Sequence, residues 1–170
     1  GFQKCRILNK AIRASRADYL LFTDGDCIPR RDFVSAHLRL REPGRFLSGG
    51  YFKLPMSISR QINADDIASN RCFDLGWLRK QGLAFALRNT KLAATGAVAS
   101  LLDQVVPTRA SWNGHNASGW KADLVAANGF DERMGYGGED RELGERLENA
   151  GLRGKRIRNR AIVLHLDHPR

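Results

Sequence analysis

The chain has 170 residues, 42% hydrophobic and 27% charged, with 28 Lys and Arg against 18 Asp and Glu, a net charge of +10. That length holds one core and is short for two, and the composition excludes a low-complexity or disordered chain. The positive balance favours nucleic acid, an anionic membrane surface or phosphorylated small molecules, without choosing among them. Cys5, Cys27 and Cys72 are widely spaced with no CxxC pair. They argue against a disulfide framework or a structural zinc site and for a reducing compartment. The most apolar window, residues 92 to 102, is too short and too rich in small residues to span a bilayer. No signal peptide opens the chain, whose first residues read as the middle of a fold.

In chain order, Ile7, Leu8, Ala11 and Ile12 share one face of a helix spanning about residues 3 to 15. It leads into Tyr19-Leu20-Leu21-Phe22, an apolar run bounded by charge, which reads as a strand buried on both faces of a parallel sheet. The run ends in Thr23-Asp24-Gly25-Asp26. Ligands of open α/β sheets collect at strand carboxyl ends, and two carboxylates there suit a divalent cation carrying phosphates. Gly25 lets a ligand approach the backbone, and a plain polar turn is the competing reading. Pro29 precedes a helix with Phe33, Val34, His37 and Leu38 on one face, His37 reading as a core histidine rather than a ligand.

Arg45 to Ser48 reads as a short strand after the Pro43-Gly44 stop, followed by Gly49-Gly50 and a second extended run from Tyr51. The glycines suit either close approach of a ligand or a turn. Ser57 and Ser59 are candidate caps for a helix running through Gln61 to Ser69. Phe73, Trp77 and Leu78 suggest another helix, and residues 83 to 102 have no clear period. Trp112 to Trp120 reads as a loop lining a polar site, with aromatic faces and amides that suit a sugar or a base. A short helix around Leu124 stops at Asn128-Gly129.

Gly135-Tyr136-Gly137-Gly138 leads into Glu139-Asp140 at the start of a helix carrying Leu143 and Leu147 and ending at Gly151. Acids in a first helical turn need no chemistry. The glycine-rich approach favours a functional site over simple capping. A basic strand, residues 154 to 158, precedes the apolar run Ala161 to Leu164, which ends in His165-Leu166-Asp167-His168. Imidazoles past a core strand can join carboxylates on a metal.

The motif Arg6-x-x-Asn9-x-Ala11 followed by Asp18 to Asp26, with Pro29 and Phe33, resembles the middle of a family-two glycosyltransferase of the GT-A fold. The stretch from Trp120 to Glu132 and on through Gly137-Gly138-Glu139-Asp140 is similar to the carboxyl-terminal part of galactosyltransferase-type enzymes. The resemblance implies an α/β fold, a mostly parallel sheet flanked by helices, lacking the first βαβ segment. Residues 1–170 then form one catalytic-type domain, the central and carboxyl-terminal part of a larger one, with weak or absent turnover on its own.

The activity implied is inverting, metal-dependent transfer of a sugar from a nucleotide-sugar donor, UDP-sugar favoured, to a glycan or lipid-linked acceptor in bacterial polysaccharide or lipopolysaccharide synthesis. Carried over residue by residue, Asp26 and His165 hold Mn2+ or Mg2+, with His168 as the alternative. Arg6, Asn9, Asp24 and Gly25 bind the donor. Asp140 is the general base, and Glu139, Gly138, Tyr136 and Trp120 form the acceptor site. The resemblance implies a cytoplasmic enzyme; the basic residues are scattered with no nucleic-acid motif, and the basic cluster of residues 153 to 160 reads instead as a surface for peripheral contact with an anionic inner membrane. The rival reading is a non-catalytic basic domain that binds nucleic acid or anionic surfaces, and a nucleotidyltransferase ranks third.

Overall fold

The computed structural model describes residues 3–105, 108–135 and 137–169, so Tyr136 lies outside the described residues. Helix α1 (Lys4–Ala14) leads into β1 (Tyr19–Phe22) and β2 (Cys27–Pro29), then α2 (Phe33–Leu40), β3 (Arg45–Ser48) and β4 (Gly50–Lys53). Short helices α3 (Met56–Ser59), α4 (Ala64–Ala68) and α5 (Leu75–Lys80) follow, with 3-10 segments Arg71–Phe73 and Leu87–Leu92 around α5. The chain closes with α6 (Gly96–Val105), β5 (Ala117–Trp120), α7 (Lys121–Ala126), α8 (Glu139–Asn149), β6 (Arg153–Arg156) and β7 (Ile162–His165).

The strands form two small mixed sheets, ordered β1-β5-β3-β6 and β2-β7-β4. The expectation of a mostly parallel sheet is corrected. β5 runs antiparallel to both β1 and β3, and β7 antiparallel to β2, while β6 and β4 supply the parallel pairings. Two apolar runs with the same sequence signature take different places. β7 is central, and Ile162, Val163 and Leu164 are fully buried. β1 is at an edge and all four of its residues are only half-buried, so it is not enclosed on both faces. A central strand has neighbours on both sides; an edge strand does not.

Three apolar clusters hold these layers. Phe46, Trp112, Leu124, Phe130, Leu143 and Leu147 pack the first sheet against α1, α7 and α8. Phe52, Ile58, Phe73, Leu78 and Leu164 fill the space under the second sheet. Phe33, Ala36, Leu47 and Val163 join α2 to both. Helix faces differ locally from the expected ones. In α1, Cys5 and Ile12 are buried while Ile7 is exposed. In α2, Ala36 is buried while Val34 and Leu38 are exposed. The expected helix through Gln61 is broken, because Asn63 and Asp66 form a capping box that starts α4 afresh.

Gly49 and Gly50 permit close approach, but of the protein to itself. A Cβ on Gly49 would lie 1.8 Å from Asn116 Oδ1, and one on Gly50 would lie 2.1 Å from the Arg158 carbonyl oxygen. Asn116 donates from Nδ2 to the Gly50 and Ala161 carbonyls and accepts from His37 Nε2 at 2.9 Å. With that nitrogen protonated, His37 Nδ1 accepts from the Ser118 hydroxyl at 2.6 Å, and Ser118 accepts from Tyr19 at 2.8 Å. This buried chain stitches the two sheets together.

Burial drives the His37 pKa down to about 4. The neutral ring is favoured in the fold, so its contribution is present above the unfolded value near 6.5 and is lost as pH falls from there towards 4. Across that window wild type should lose roughly 3 kcal/mol more than His37→Gln. Urea melts at several pH values measure this; parallel pH profiles for the two proteins would contradict it.

Candidate active site

The Asp24-Gly25-Asp26 segment is the bend where the chain leaves one sheet and enters the other. The Cys27 N–H donates to the Asp24 carbonyl at 3.2 Å, and the Leu166 N–H donates to the Asp26 carbonyl at 2.9 Å. A Cβ on Gly25 would meet no atom within 4 Å, so the space in front of the bend is open. Four other elements converge here. The first turn of α1 brings Lys4, and the start of α8 brings Glu139 and Asp140. The turn before β5 brings Gly114 and His115, and the end of β7 brings His165.

Lys4 is the hub of one half. Its Nζ lies 2.9 Å from Glu139 Oε1, 3.5 Å from Asp140 Oδ2 and 3.9 Å from Asp24 Oδ1. Burial works against the ammonium, but the Glu139 bond and the charges of Asp140 and Asp24 raise its pKa overall. Glu139 is buried, yet Lys4 and backbone N–H donors, Gly137 among them at 2.8 Å, hold it ionised below the usual range. Gly137 and Gly138 both have positive φ, 99° and 87°, the backbone freedom this approach requires.

Asp140 is set differently. Burial raises its pKa, Lys4 opposes the rise, and Glu139 adds to it. The Gly114 backbone N–H also opposes the rise, and among the described residues the buried Oδ1 has no hydrogen-bond partner, nor has Asn113 Oδ1 beside the neighbouring turn. Gly114 makes room for it, since a Cβ there would lie 2.7 Å from both carboxylate oxygens. A carboxylate with a raised pKa and an open acceptor lone pair is suited to taking a proton.

Asp26 is the hub of the other half. His168 Nε2 lies 3.1 Å and His165 Nε2 3.5 Å from its Oδ2. Each ring turns Nδ1 to a backbone carbonyl at 3.0 Å, Leu166 for His165 and Pro169 for His168. With both nitrogens of each ring facing acceptors, the protonated ring donates from Nε2 to Asp26, and the neutral ring with Nδ1–H turns an Nε2 lone pair to the same place, free for a cation. Burial opposes ionisation of Asp26, but the His165 charge and the His168 and Cys27 hydrogen bonds lower its pKa overall. Ligand atoms of Asp26, Cys27 and His165 lie within 4.8 Å of one another. Burial and the two aspartates push the Cys27 thiol up to about 12. A carboxylate and imidazoles without a thiolate can hold a divalent cation such as Mn2+, leaving positions for phosphate oxygens. Tyr51 and His115 wall this half, their rings 4.8 Å apart at the centroids, with His165 6.4 Å from His115.

Of the residues singled out in the sequence, Asp24, Asp26, Gly138, Glu139, Asp140, His165 and His168 meet here. Trp120 does not. It pairs with Tyr19, at the opposite end of β1 from Asp24, stacks edge-on against that ring and donates Nε1–H to the Glu42 carbonyl. Asn9 is spent on the Phe130 backbone, donating to its carbonyl and accepting from its N–H, each at 2.8 Å. Arg6 is exposed and donates to Gln3, facing a cleft of about 390 Å3 shared with residues 132–135. A separate cleft of about 360 Å3, lined by Leu8, Leu20, Thr23, Asp24, Gly114 and Lys4, reaches the cluster. A further cleft of about 540 Å3, between α1, α7 and α8, contains none of the cluster residues.

Lys4 had no marker in the sequence, and His115 was covered only by the reading of Trp112 to Trp120 as a loop lining a polar site. A lysine near the start of a basic helix looks like a solvated one until three carboxylates are folded around it. Lys4→Met should therefore destabilise the protein by about 2 kcal/mol, because it removes a charged hydrogen bond to the buried Glu139. It should also raise the Asp140 pKa further. Urea midpoints and a pH titration of Asp140 by NMR check both, and an unchanged midpoint would remove Lys4 from this role.

Residues 109–169 match the family model described as the N-terminal domain of galactosyltransferase. That segment is similar to a glycosyltransferase domain. It contains His115, Glu139, Asp140, His165 and His168, while Asp24 and Asp26 precede it. No curated protein matches the chain.

Proposed function

We propose that the cluster is the active site of a metal-dependent inverting glycosyltransferase. The observation that carries this reading is Asp140, a partly buried carboxylate whose Oδ1 has no partner among the described residues, set across Lys4 from Asp24, while Asp26, two residues on, faces His165 and His168. The similarity of residues 109–169 to a galactosyltransferase domain supports it.

On this reading the open space before Gly25 and the cleft along β1 receive a nucleotide-sugar, UDP-sugar favoured, and Asp24 faces its ribose or sugar. Asp26 and His165 would hold Mn2+ or Mg2+, with His168 as second imidazole. The bound cation supplies stabilisation of negative charge on the leaving nucleoside diphosphate. Asp140 takes the proton of the acceptor hydroxyl as its oxygen bonds to the anomeric carbon. The bond to the diphosphate oxygen breaks on the opposite face, so configuration inverts. Glu139 and Gly138 shape the acceptor side, where a glycan or lipid-linked hydroxyl enters, and the ionised Glu139 keeps Lys4 in place. The setting proposed is cytoplasmic polysaccharide or lipopolysaccharide assembly.

Because weak or absent turnover is expected of residues 1–170 alone, the deciding experiment incubates the full-length protein with a panel of UDP-sugars and Mn2+ and follows UDP release and the anomeric protons of the product by NMR. Transfer with inversion supports the proposal. Release that ignores EDTA, or a product of retained configuration, contradicts it.

Three of the five cations in the basic cluster of residues 153 to 160 are engaged within the fold. Lys155 is paired with Glu42 and Arg160 with Asp103, and Arg156 donates to the Thr108 carbonyl. These charges are largely spent on the fold.

A further inference from the structure

A second surface stands out. β4, the Leu87–Leu92 segment, α6 and the β6–β7 connection enclose a cavity of about 370 Å3. Arg88, Lys91 and Arg158 line it. Lys91 Nζ donates to the Tyr51 carbonyl at 2.7 Å and lies 5.4 Å from the Phe52 ring centroid. Burial first, then the charges of Arg158 and Arg88, lower its pKa. The carboxylate in the described lining is Asp103, and it is occupied by Arg160 and by the backbone and side-chain N–H groups of Asn159. Among the described residues, none of these three cations is paired with a carboxylate. Like charges drawn together and partly desolvated are costly, and an anion in the cavity relieves the cost.

The helix that contributes Leu102 and Asp103 to this cavity carries an exposed apolar face. α6 buries Ala99 and Asp103 and turns Val98, Leu101 and Val105 outward, at 62%, 59% and 67% exposure. Their i, i+3, i+7 spacing puts them on one helix face. Leu102 and the 79% exposed Leu87 carry the apolar surface to the cavity itself. An apolar stripe alone fits many partners. A phosphate-accepting cavity opening beside it matches a molecule with an anionic head and apolar chains. A second copy of this chain is disfavoured by its net charge of +10.

We propose that this face docks on an anionic phospholipid bilayer, with Val98, Leu101 and Val105 entering the acyl boundary and a headgroup phosphate entering the cavity between Arg88, Lys91 and Arg158. The attachment is peripheral: no helix among the described residues is long and apolar enough to cross a membrane. Tyr51 lines the cavity and also packs against His115 and His165, so a docked bilayer brings lipid headgroups towards the carboxylate cluster. The inference does not depend on the transferase reading.

Vesicle flotation in EDTA tests it, with phosphatidylcholine alone and with phosphatidylglycerol added. Wild type should float with the mixed vesicles and not with pure phosphatidylcholine. Lys91→Met with Arg158→Met should weaken partition by about 30-fold, and Leu101→Glu with Val105→Glu by at least about tenfold. Circular dichroism verifies that each variant is folded. Asp26→Ala should float as wild type does, which separates this result from any failure of the metal site. The proposal is overturned if wild type ignores anionic vesicles, if it floats equally with both lipids, or if folded variants float as well as wild type. Concentration-dependent dimerisation that Leu101→Glu abolishes, without lipid binding, would likewise replace the bilayer by a second copy.

Discussion

Asp140→Asn should lower the transfer rate by about 10³-fold while leaving nucleotide affinity nearly unchanged. The amide keeps the shape of the carboxylate but cannot accept the acceptor proton, and the metal half of the site is built from other residues. Stability should move the other way. Burial holds the Asp140 pKa above its usual value, so the fold favours the protonated form. That favour is complete below the unfolded pKa near 3.8 and is lost as pH rises through the raised folded value. At neutral pH the buried charge is a cost that asparagine removes, and the thermal midpoint should rise as activity disappears. In wild type the rate should fall as pH drops through that same raised pKa. Steady-state kinetics, UDP titration and thermal melts on one pair of proteins check all of this. An Asp140→Asn enzyme with wild-type turnover would end its assignment as base.

Asp26→Ala should weaken Mn2+-dependent UDP binding by at least about a hundredfold. Outer-sphere partners of metal ligands already cost ten- to a hundredfold, and Asp26 is the proposed ligand itself. His165→Gln should cost more than His168→Gln, because His165 is half-buried at the end of β7 while His168 is exposed. Calorimetry with UDP, with and without Mn2+, gives both rankings. Binding that is indifferent to both the metal and Asp26 would move the donor elsewhere.

Much of the local structure was legible in the residues. α1, β1, β3 and α8 fall within about a residue or two of their expected bounds, because period, proline and glycine act over a few neighbours. The carboxylates at the end of β1, the acids at the start of α8 and the histidines after β7 were likewise visible, since each marks the end of an element. Residues 83 to 102 were not legible. Their 3-10 segment and α6 have short, weak periods, and three outward apolar residues on α6 blur the usual inside–outside contrast.

Side chains in mixed contexts were harder to place. Trp120, Asn9 and Gly49 each had a plausible ligand in the sequence, and each is occupied by the protein itself: a tyrosine ring, a backbone edge, a buried amide. Pairing partners far along the chain decide such residues, and sequence pattern carries no record of them.

The same distinction applies to the cluster itself. Residue types and element ends were sufficient to nominate Asp24, Asp26, Asp140 and His165 one by one. Their gathering into two linked half-sites depended on sheet order, which places β1 at an edge of one sheet and β7 at the centre of the other. So did Lys4, drawn from a basic helix into contact with three acids 20 to 136 residues away along the chain. Local forces act through neighbours in sequence, whereas a site of this kind is made by packing that closes long loops, and only the folded chain has chosen which loops to close.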